Sequence, residues 1–151
     1  MIFNETKLKN AFIIKLEKLE DERGFFARAW DTKKFEEHGL NSKLTQCNIS
    51  FNKKKGTLRG MHFQLPPHAE AKLIRCTKGK IFDVIIDLRT NSSTFTKSIS
   101  VELSDTNHKM IYVPEGFAHG FQTLEDNTEI FYQVTHEYSP SYEGGLRWND
   151  Q

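Results

Sequence analysis

The feature that most constrains the fold is a succession of short β-prone segments that fills the chain from residue 45 onward. Turn signals separate them, among them Lys78-Gly79-Lys80, Glu115-Gly116 and Glu125-Asp126-Asn127. The predicted strands are Thr45–Phe51, Thr57–Gln64, Leu73–Thr77, Ile81–Leu88, Lys97–Leu103, Lys109–Val113, Ala118–Leu124 and Thr128–Thr135. Roughly eight strands with tight connections predict an all-β jelly roll, in which two packed layers bury the sheet edges.

The chain before residue 45 contributes two further predicted strands, a turn and the one predicted helix. The first predicted strand is Phe12–Leu16. A turn at Asp21-Glu22-Arg23-Gly24 precedes the second, an aromatic strand over Phe25–Trp30. Asp31 is a suitable N-cap for a short helix, and Phe35 is its apolar contact. Gly39 ends this helix at His38.

Length and composition predict one cytoplasmic domain that spans residues 1–151. Hydrophobic residues make up 37% and charged residues 27% of the chain, which is typical of a folded domain. The net charge of +1 provides no field that would attract nucleic acid or an anionic membrane. Cys47 and Cys76 are too few for a disulfide framework, and neither a signal-peptide pattern nor a long apolar run is present.

Three predicted strands place polar side chains on one face, with the two-residue period of a β-strand. The three sets are Gly60, His62 and Gln64; Gln46, Asn48 and Ser50; and Ile130, Tyr132 and Val134. If these faces and Lys72 line one barrel, its interior holds an imidazole, a phenol, amides and an ammonium. A buried polar group without a partner costs on the order of 1–3 kcal/mol, so the set indicates a ligand-binding cavity. The alternative is that His62 and Tyr132 are core residues bonded to backbone carbonyls.

The segment from Pro114 to Gly120 has the P-x-G-x-x-H spacing of the second cupin motif, in which Gly116 allows the turn and His119 points into the barrel. The first cupin motif normally contains H-x-H, but the matching segment here is His62-Phe63-Gln64. Glutamine is a poor ligand for the metals that imidazole and carboxylate bind, so the sequence predicts no metal. A three-ligand site of His62, His119 and Glu70 is the disfavoured alternative.

Seven segments, in order along nearly the whole chain, carry a specific resemblance. They are 21–26 (DERGFF), 46–48 (QCN), 58–64 (LRGMHFQ), 72–76 (KLIRC), 82–84 (FDV), 114–121 (PEGFAHGF) and 148–150 (WND). In these segments the chain resembles the dTDP-4-dehydrorhamnose 3,5-epimerase family of the cupin superfamily. The resemblance implies a jelly-roll homodimer without a cofactor, which acts on dTDP-4-dehydro-6-deoxy-D-glucose in dTDP-L-rhamnose biosynthesis.

The resemblance also assigns roles to individual residues. It implies that His62 is the catalytic base, Tyr132 the acid, and Lys72 the cation near the developing oxyanion. Imidazole suits the base role because its ordinary pKa of about 6.5 lies close to neutral pH. The residues that it implies in substrate binding are Arg23, Phe26, Gln46, Cys47, Asn48, Arg59, His119, Tyr138 and Glu143. Arg23 and Arg59 match positions that hold the diphosphate, and Tyr138 matches a ring that stacks on thymine.

Two departures from the family pattern leave alternatives open. Arg28 stands where many members have a glutamate that contacts substrate in the neighbouring subunit. The sequence stops at Gln151 without the C-terminal tail of the family, which usually brings an aspartate to the catalytic histidine and an arginine to the substrate. Three explanations stay open: a truncated sequence or a short natural relative, which is favoured, loss of part of the function, or substitution by another carboxylate such as Asp83. The alternative functions are an epimerase that inverts only C3 or only C5, and a cupin that binds a sugar nucleotide without catalysis.

Overall fold

The structure, a computed structural model, describes residues 1–150, and within them nearly all regular elements are strands. The strands are β1 (Ile2–Glu5), β2 (Phe12–Lys15), β3 (Leu19–Asp21), β4 (Gly24–Phe26), β5 (Gln46–Asn52), β6 (Leu58–Gln64), β7 (Lys72–Lys78), β8 (Lys80–Asp87), β9 (Ser98–Ser104), β10 (Met110–Val113), β11 (Phe117–Thr123), β12 (Thr128–Val134) and β13 (Glu143–Gly145). Helix α1 covers Thr32–Glu37, and a 3₁₀ helix covers Pro140–Tyr142. Neither of these helices has the length and apolar character needed to cross a membrane.

Two antiparallel sheets form the body of the protein. The six-stranded sheet has the order β1-β2-β10-β7-β12-β5, and the five-stranded sheet has the order β13-β6-β11-β8-β9. The non-sequential order shows the crossing connections of a jelly roll, as the sequence predicted. A separate hairpin of β3 and β4 lies outside both sheets.

The main core fills the space between the sheets. Ile81 and Ile85 of β8 meet Ile74, Ile111 and Ile130 of the facing sheet. A second core covers the outer side of the six-stranded sheet, where Phe35 of α1 is fully buried. Strands β7 and β10 in the middle of this sheet therefore place alternate side chains in the two cores, as the two-residue period requires.

Strand β8 carries two carboxylates into the interior. Ile81, Asp83, Ile85 and Asp87 are all 0% exposed, whereas Phe82 between them is 44% exposed. This alternation is the one that the sequence predicts for Ile81–Leu88. Asp87 is satisfied locally, since it accepts hydrogen bonds from the Arg89, Ser92 and Thr94 side chains. Asp83 lies deeper in the strand and faces the site described below.

The helix prediction is confirmed, and one strand prediction is wrong. Asp31 caps α1 by accepting a hydrogen bond from the Lys34 backbone amide at 3.2 Å. The predicted aromatic strand Phe25–Trp30 ends at Phe26. Trp30 packs instead on Phe35, with the ring centroids 4.0 Å apart, and this contact draws the chain away from the hairpin. The sequence did not predict the short strands β1, β3 and β13, which lack a clear alternating pattern.

A bulge in β6 shapes the interior of the barrel. His62 pairs with His119 of β11, but Arg59 pairs with Phe121, so β6 gains one residue over two pairs. Gly60 lies inside the bulge with φ +112°, and a Cβ there would be 2.5 Å from Gly120 Cα and 2.7 Å from the His119 carbonyl oxygen. Only glycine fits this close approach. Because of the bulge, Arg59 and His62 line the same cavity although they are three residues apart.

Replacing Gly60 by alanine should destabilise the protein by about 2–4 kcal/mol, because a positive φ and a backbone clash add together. Gly56→Ala is the matched control, since Gly56 has φ +81° but nothing within 4 Å of its added Cβ. The control should lose only about 1 kcal/mol from backbone strain. Urea unfolding of both variants measures the difference, and equal losses would contradict the proposed steric role of Gly60.

Candidate active site

The candidate site is a cleft between the two sheets. Its larger part is a cavity of about 470 Å³, and a smaller part of about 210 Å³ adjoins it. Three residues line both parts, namely His62, Lys72 and Tyr132. The larger part is otherwise lined by Gln46, Asn48, Phe63, Gln64, Glu70, Val134, Tyr138 and Glu143, and the smaller by Ser50, Arg59, Ile74, His119, Phe121 and Ile130.

The three shared residues come from opposite walls of the cleft. His62 belongs to β6 of the five-stranded sheet, whereas Lys72 of β7 and Tyr132 of β12 belong to the six-stranded sheet. Strands β7 and β12 are paired neighbours, which holds the ammonium and the phenol on one wall. An imidazole therefore faces a phenol and an ammonium, an arrangement that can remove a proton on one side of a ligand and return it on the other.

Burial controls the protonation of the phenol. Tyr132 is half-buried, and burial is the main cause that raises its pKa above the ordinary value of a tyrosine. The charge of Glu70 raises this pKa further, while the charge of Arg59 lowers it. Tyr132 therefore holds its proton at neutral pH and is a proton donor.

A second histidine of the cleft is held by a buried carboxylate. Nε2 of His119 lies 2.8 Å from Oδ2 of Asp83, whose side chain is 0% exposed. Burial raises the pKa of Asp83, and the nearby His119 and Lys72 oppose this shift. Asp83 thus pairs with His119 rather than with His62, so the hypothesis that Asp83 orients the imidazole of His62 is not supported.

The metal-site alternative also finds no support in the side-chain positions. His119 is engaged by Asp83, and Glu70 forms an ion pair with Lys72 at 3.1 Å. Among residues 1–150 the structure brings together no group of three histidine, cysteine or acidic side chains that could hold a metal ion.

Gln64, at the position where a cupin metal ligand is expected, holds the loops at the mouth of the cleft. Its Nε2 donates hydrogen bonds to the carbonyls of His68 at 2.8 Å and Glu137 at 3.1 Å. Its Oε1 accepts a hydrogen bond from the Ser139 amide at 2.6 Å. The amide is 5% exposed and needs both its donor and its acceptor end, which a carboxylate could not supply.

Polar contacts also order the mouth of the cleft and its inner wall. Gln46 accepts a hydrogen bond from the Tyr138 amide at 3.1 Å, and the Tyr138 hydroxyl donates to Glu143 at 2.7 Å. Deeper in, Nε of Arg59 donates to the Asn52 side chain at 2.7 Å. This bond fixes the plane of the guanidinium, whose outer edge can meet an anionic group.

Comparison with known proteins matches this chain to a family. Residues 5–151 match the family model for dTDP-4-dehydrorhamnose 3,5-epimerase. The chain belongs to this family. The epimerase of Sinorhizobium fredii is 43% identical over 150 residues, which cover 99% of this chain and 77% of the relative. That of Salmonella typhimurium is 42% identical over 152 residues, which cover 100% of this chain and 82% of the relative.

Solved structures of family members have the same fold. The epimerase of Elizabethkingia anophelis superposes with a TM-score of 0.96 at 44% identity, covering 99% of this chain and 82% of that one. An epimerase of Legionella pneumophila, described in complex with dTDP-4-keto-L-rhamnose, gives a TM-score of 0.91 at 35% identity, covering 99% and 79%. The predicted family, the cupin jelly roll and the isomerase class of the enzyme are thereby confirmed.

Three of the residues that the family resemblance suggested for substrate binding lie outside the cleft of this chain. Arg23 and Phe26 belong to the β3–β4 hairpin and its turn, with Arg23 ion-paired to Asp21 at 2.6 Å and Phe26 66% exposed. Cys47 is exposed on the outer face of β5, because its neighbours Gln46 and Asn48 face inward. The binding roles of these three residues stay predictions.

Other positions add to what the sequence predicted. Arg28, at the position where the family resemblance suggests glutamate, forms an ion pair at 3.1 Å with Asp31, the cap of α1.

Glu70 enters the sequence-based predictions only as an alternative metal ligand. In the structure it lines the cleft as the partner of Lys72. The sequence signal for this pair was the two-residue spacing of opposite charges at the start of a strand. The Asn52–Arg59 bond had no such signal, since the chain reverses direction between the two residues.

Replacing Gln64 by glutamate should cost about 1–3 kcal/mol, because a carboxylate oxygen would face two carbonyls and lose both donated bonds. Gln122→Glu makes the same chemical change at an exposed site, where the amide donates only a long 3.4 Å bond to the Gly56 carbonyl. That control should stay within about 0.5 kcal/mol of the parent. Chemical unfolding compares the two, and a Gln64→Glu protein as stable as the control would contradict the scaffold role.

Proposed function

We propose that this protein is a cofactor-independent dTDP-4-dehydrorhamnose 3,5-epimerase, which converts dTDP-4-dehydro-6-deoxy-D-glucose at C3 and C5 on the route to dTDP-L-rhamnose. Family membership and the names of relatives such as those of S. fredii and S. typhimurium support the reaction. The observation that carries the proposal is that His62 and Tyr132 line one cleft from opposite sheets, with Lys72 on the Tyr132 side.

The proposed chemistry moves only protons. His62 removes the proton from a carbon beside the C4 ketone, and the electron pair of the broken C–H bond passes to the carbonyl oxygen. The ammonium of Lys72 stabilises the resulting enolate oxygen, which is commonly the largest contribution to catalysis of this type. Tyr132 then donates its proton to the opposite face of the carbon, and the ketone re-forms. Because the pKa of Tyr132 lies above neutral pH, the phenol carries the proton that this step requires.

The nucleotide part of the substrate is assigned to the polar groups around this centre. Arg59 presents a fixed guanidinium, which pairs well with phosphate oxygens, and His119 lies on the same inner wall. Tyr138 is 57% exposed at the mouth, where its ring is free to stack on thymine while its hydroxyl is held by Glu143. Gln46 and Asn48 supply amide groups between these two regions.

We also propose that the protein works as a homodimer. On the outer side of β5 and β12, Ile49 is 66% and Phe51 45% exposed, and β5 is an open edge of its sheet. Leu19 and Phe26 of the β3–β4 hairpin are 72% and 66% exposed. Apolar surface of this kind beside an unpaired edge favours burial against another chain. In a dimer the hairpin would carry Arg23 and Phe26 to the cleft of the second copy, which accounts for their place outside this one.

A cytoplasmic location is part of the same proposal. Cys47 and Cys76 are both free thiols. Unpaired cysteines fit a reducing compartment. The net charge of +1 gives no reason to include nucleic acid or an anionic membrane among the partners.

The dimer predicts that Ile49→Ser shifts the protein from dimer to monomer at micromolar concentration, because a polar group would enter a buried apolar contact. Phe95→Ser is the control, since Phe95 is also exposed, at 42%, but lies on the loop between β8 and β9. Sedimentation velocity measures both. A parent protein that sediments as a monomer, or an Ile49→Ser protein that remains a dimer, would count against this interface.

The reaction is tested by incubating the protein with dTDP-4-dehydro-6-deoxy-D-glucose in D₂O and counting deuterons by mass spectrometry. Incorporation at both C3 and C5 is expected, since each proton is removed and replaced from solvent. Incorporation at one position identifies an epimerase of C3 or C5 alone, and none identifies a binding protein. His62→Asn should reduce exchange by roughly 10²–10⁴-fold through loss of the base. His38→Asn, on the outer face at α1, should exchange like the parent.

A further inference from the structure

Glu70 is a largely buried carboxylate in the cleft to which the proposed mechanism gives no part. It precedes β7 by two residues and lines the larger cavity together with His62 and Tyr132. Its side chain is only 9% exposed, and Oε1 lies 3.1 Å from Nζ of Lys72, whose side chain is 13% exposed. Two opposite charges are therefore held together inside the cleft, largely shielded from bulk water.

Burial makes this pair energetically different from an ion pair on the surface. An isolated buried charge is strongly disfavoured, and removing one partner leaves the other uncompensated. Lysine also has a long flexible side chain, so its ammonium occupies one place only where a partner holds it. Glu70 is the only carboxylate in residues 1–150 within ion-pair distance of Lys72.

The same carboxylate acts on the proton donor of the cleft. The positive charge of Arg59 lowers the pKa of Tyr132 and so favours the phenolate. Any cation that comes close to the phenol, such as the Lys72 ammonium on the neighbouring strand, acts in the same direction. Burial and the charge of Glu70 act in the other direction and raise the pKa of Tyr132. The other charged or titratable groups of this cleft are His62, His119, Tyr138, Glu143 and Asp83, the last next to His119.

We propose that Glu70 is a positioning residue of this site, which fixes the Lys72 ammonium in the cleft and places a permanent negative charge beside Tyr132. Lys72 can then stabilise an enolate oxygen without also converting the neighbouring phenol to phenolate. The inference rests on the proposed function, in which Lys72 faces that oxygen and Tyr132 returns the proton. Glu70 itself touches no reacting atom in this scheme.

The test is the variant Glu70→Gln, which keeps the size and a hydrogen-bond acceptor but removes the charge. Its kcat should fall by roughly 10- to 100-fold, the order expected when a catalytic group is displaced by about 1 Å. The alkaline limb of its kcat–pH profile should move to lower pH, because the pKa of Tyr132 loses one of its raising causes. KM should change less than kcat. Glu70→Asp retains the charge, so its alkaline limb should stay close to that of the parent.

A direct titration separates this inference from the proposed reaction. The ultraviolet titration of Tyr132→Phe is subtracted from that of the parent, which isolates the ionisation of the Tyr132 phenol. The same subtraction in the Glu70→Gln background should give a lower pKa. If the parent fails to exchange deuterium, the proposed function is wrong, but this titration still decides whether Glu70 controls Tyr132.

Glu102→Gln is the matched control. Glu102 pairs with Lys80 at 3.6 Å on the surface, with its side chain 52% exposed, and lines neither part of the cleft. It should leave kcat, its pH profile and the phenol titration unchanged, as expected for an exposed ion pair. If Glu70→Gln behaves like Glu102→Gln in kcat and in the phenol titration, the positioning role is overturned.

Discussion

Charged side chains that lie between the two packed sheets need ion-pair or hydrogen-bond partners within the barrel, and the arrangement of the site depends on this constraint. Asp83 is fully buried and holds His119, while Glu70 is nearly buried and holds Lys72. The two pairs lie on different sheets. Asp83 and His119 belong to β8 and β11 of the five-stranded sheet, whereas Lys72 belongs to β7 of the six-stranded sheet. The large apolar side chains that fill the rest of the interior leave such groups little access to bulk water, and an ion that loses its partner there is strongly disfavoured.

Close backbone contact brings the pieces of the site together. Gly60 and Gly120 face each other where β6 and β11 meet, and neither has room for a side chain. The bulge at Gly60 turns Arg59 and His62 to the same side, so a guanidinium and an imidazole share one cavity. A regular strand would have sent one of them to the opposite face. The geometry of the site thus depends on two residues that have no functional group at all.

Periodicity predicted most of the barrel and most of the cleft, and it failed where a local contact overrides it. The inward faces of β5, β8 and β12 followed from alternation, because one face of each meets the interior. The position of Arg59 did not follow, since the bulge breaks the alternation at Gly60. The predicted strand Phe25–Trp30 was wrong because Trp30 packs on the ring of Phe35 and does not continue the β-strand. Arg23 and Phe26 could be matched to a family pattern. Their proposed binding site lies in a second copy of the chain, so the structure of one chain does not show it.

The proposed mechanism gives Lys72 a central role because of what occupies the first cupin motif. At the position where cupins often present a second metal-binding imidazole, Gln64 uses both ends of its amide to hold the loops that carry Tyr138. The first cupin motif of this chain therefore orders the mouth of the cleft. Under the proposed mechanism, the charge of an enolate must then be met by a side chain, and Lys72 is the ammonium that lines both parts of the cleft. A flexible lysine can do this only if its ammonium is held in one place. The roles of Gln64 and Glu70 are therefore complementary in this scheme. Gln64 occupies the position of a metal ligand without serving as one, and Glu70 holds the ammonium that stabilises the enolate in place of a metal.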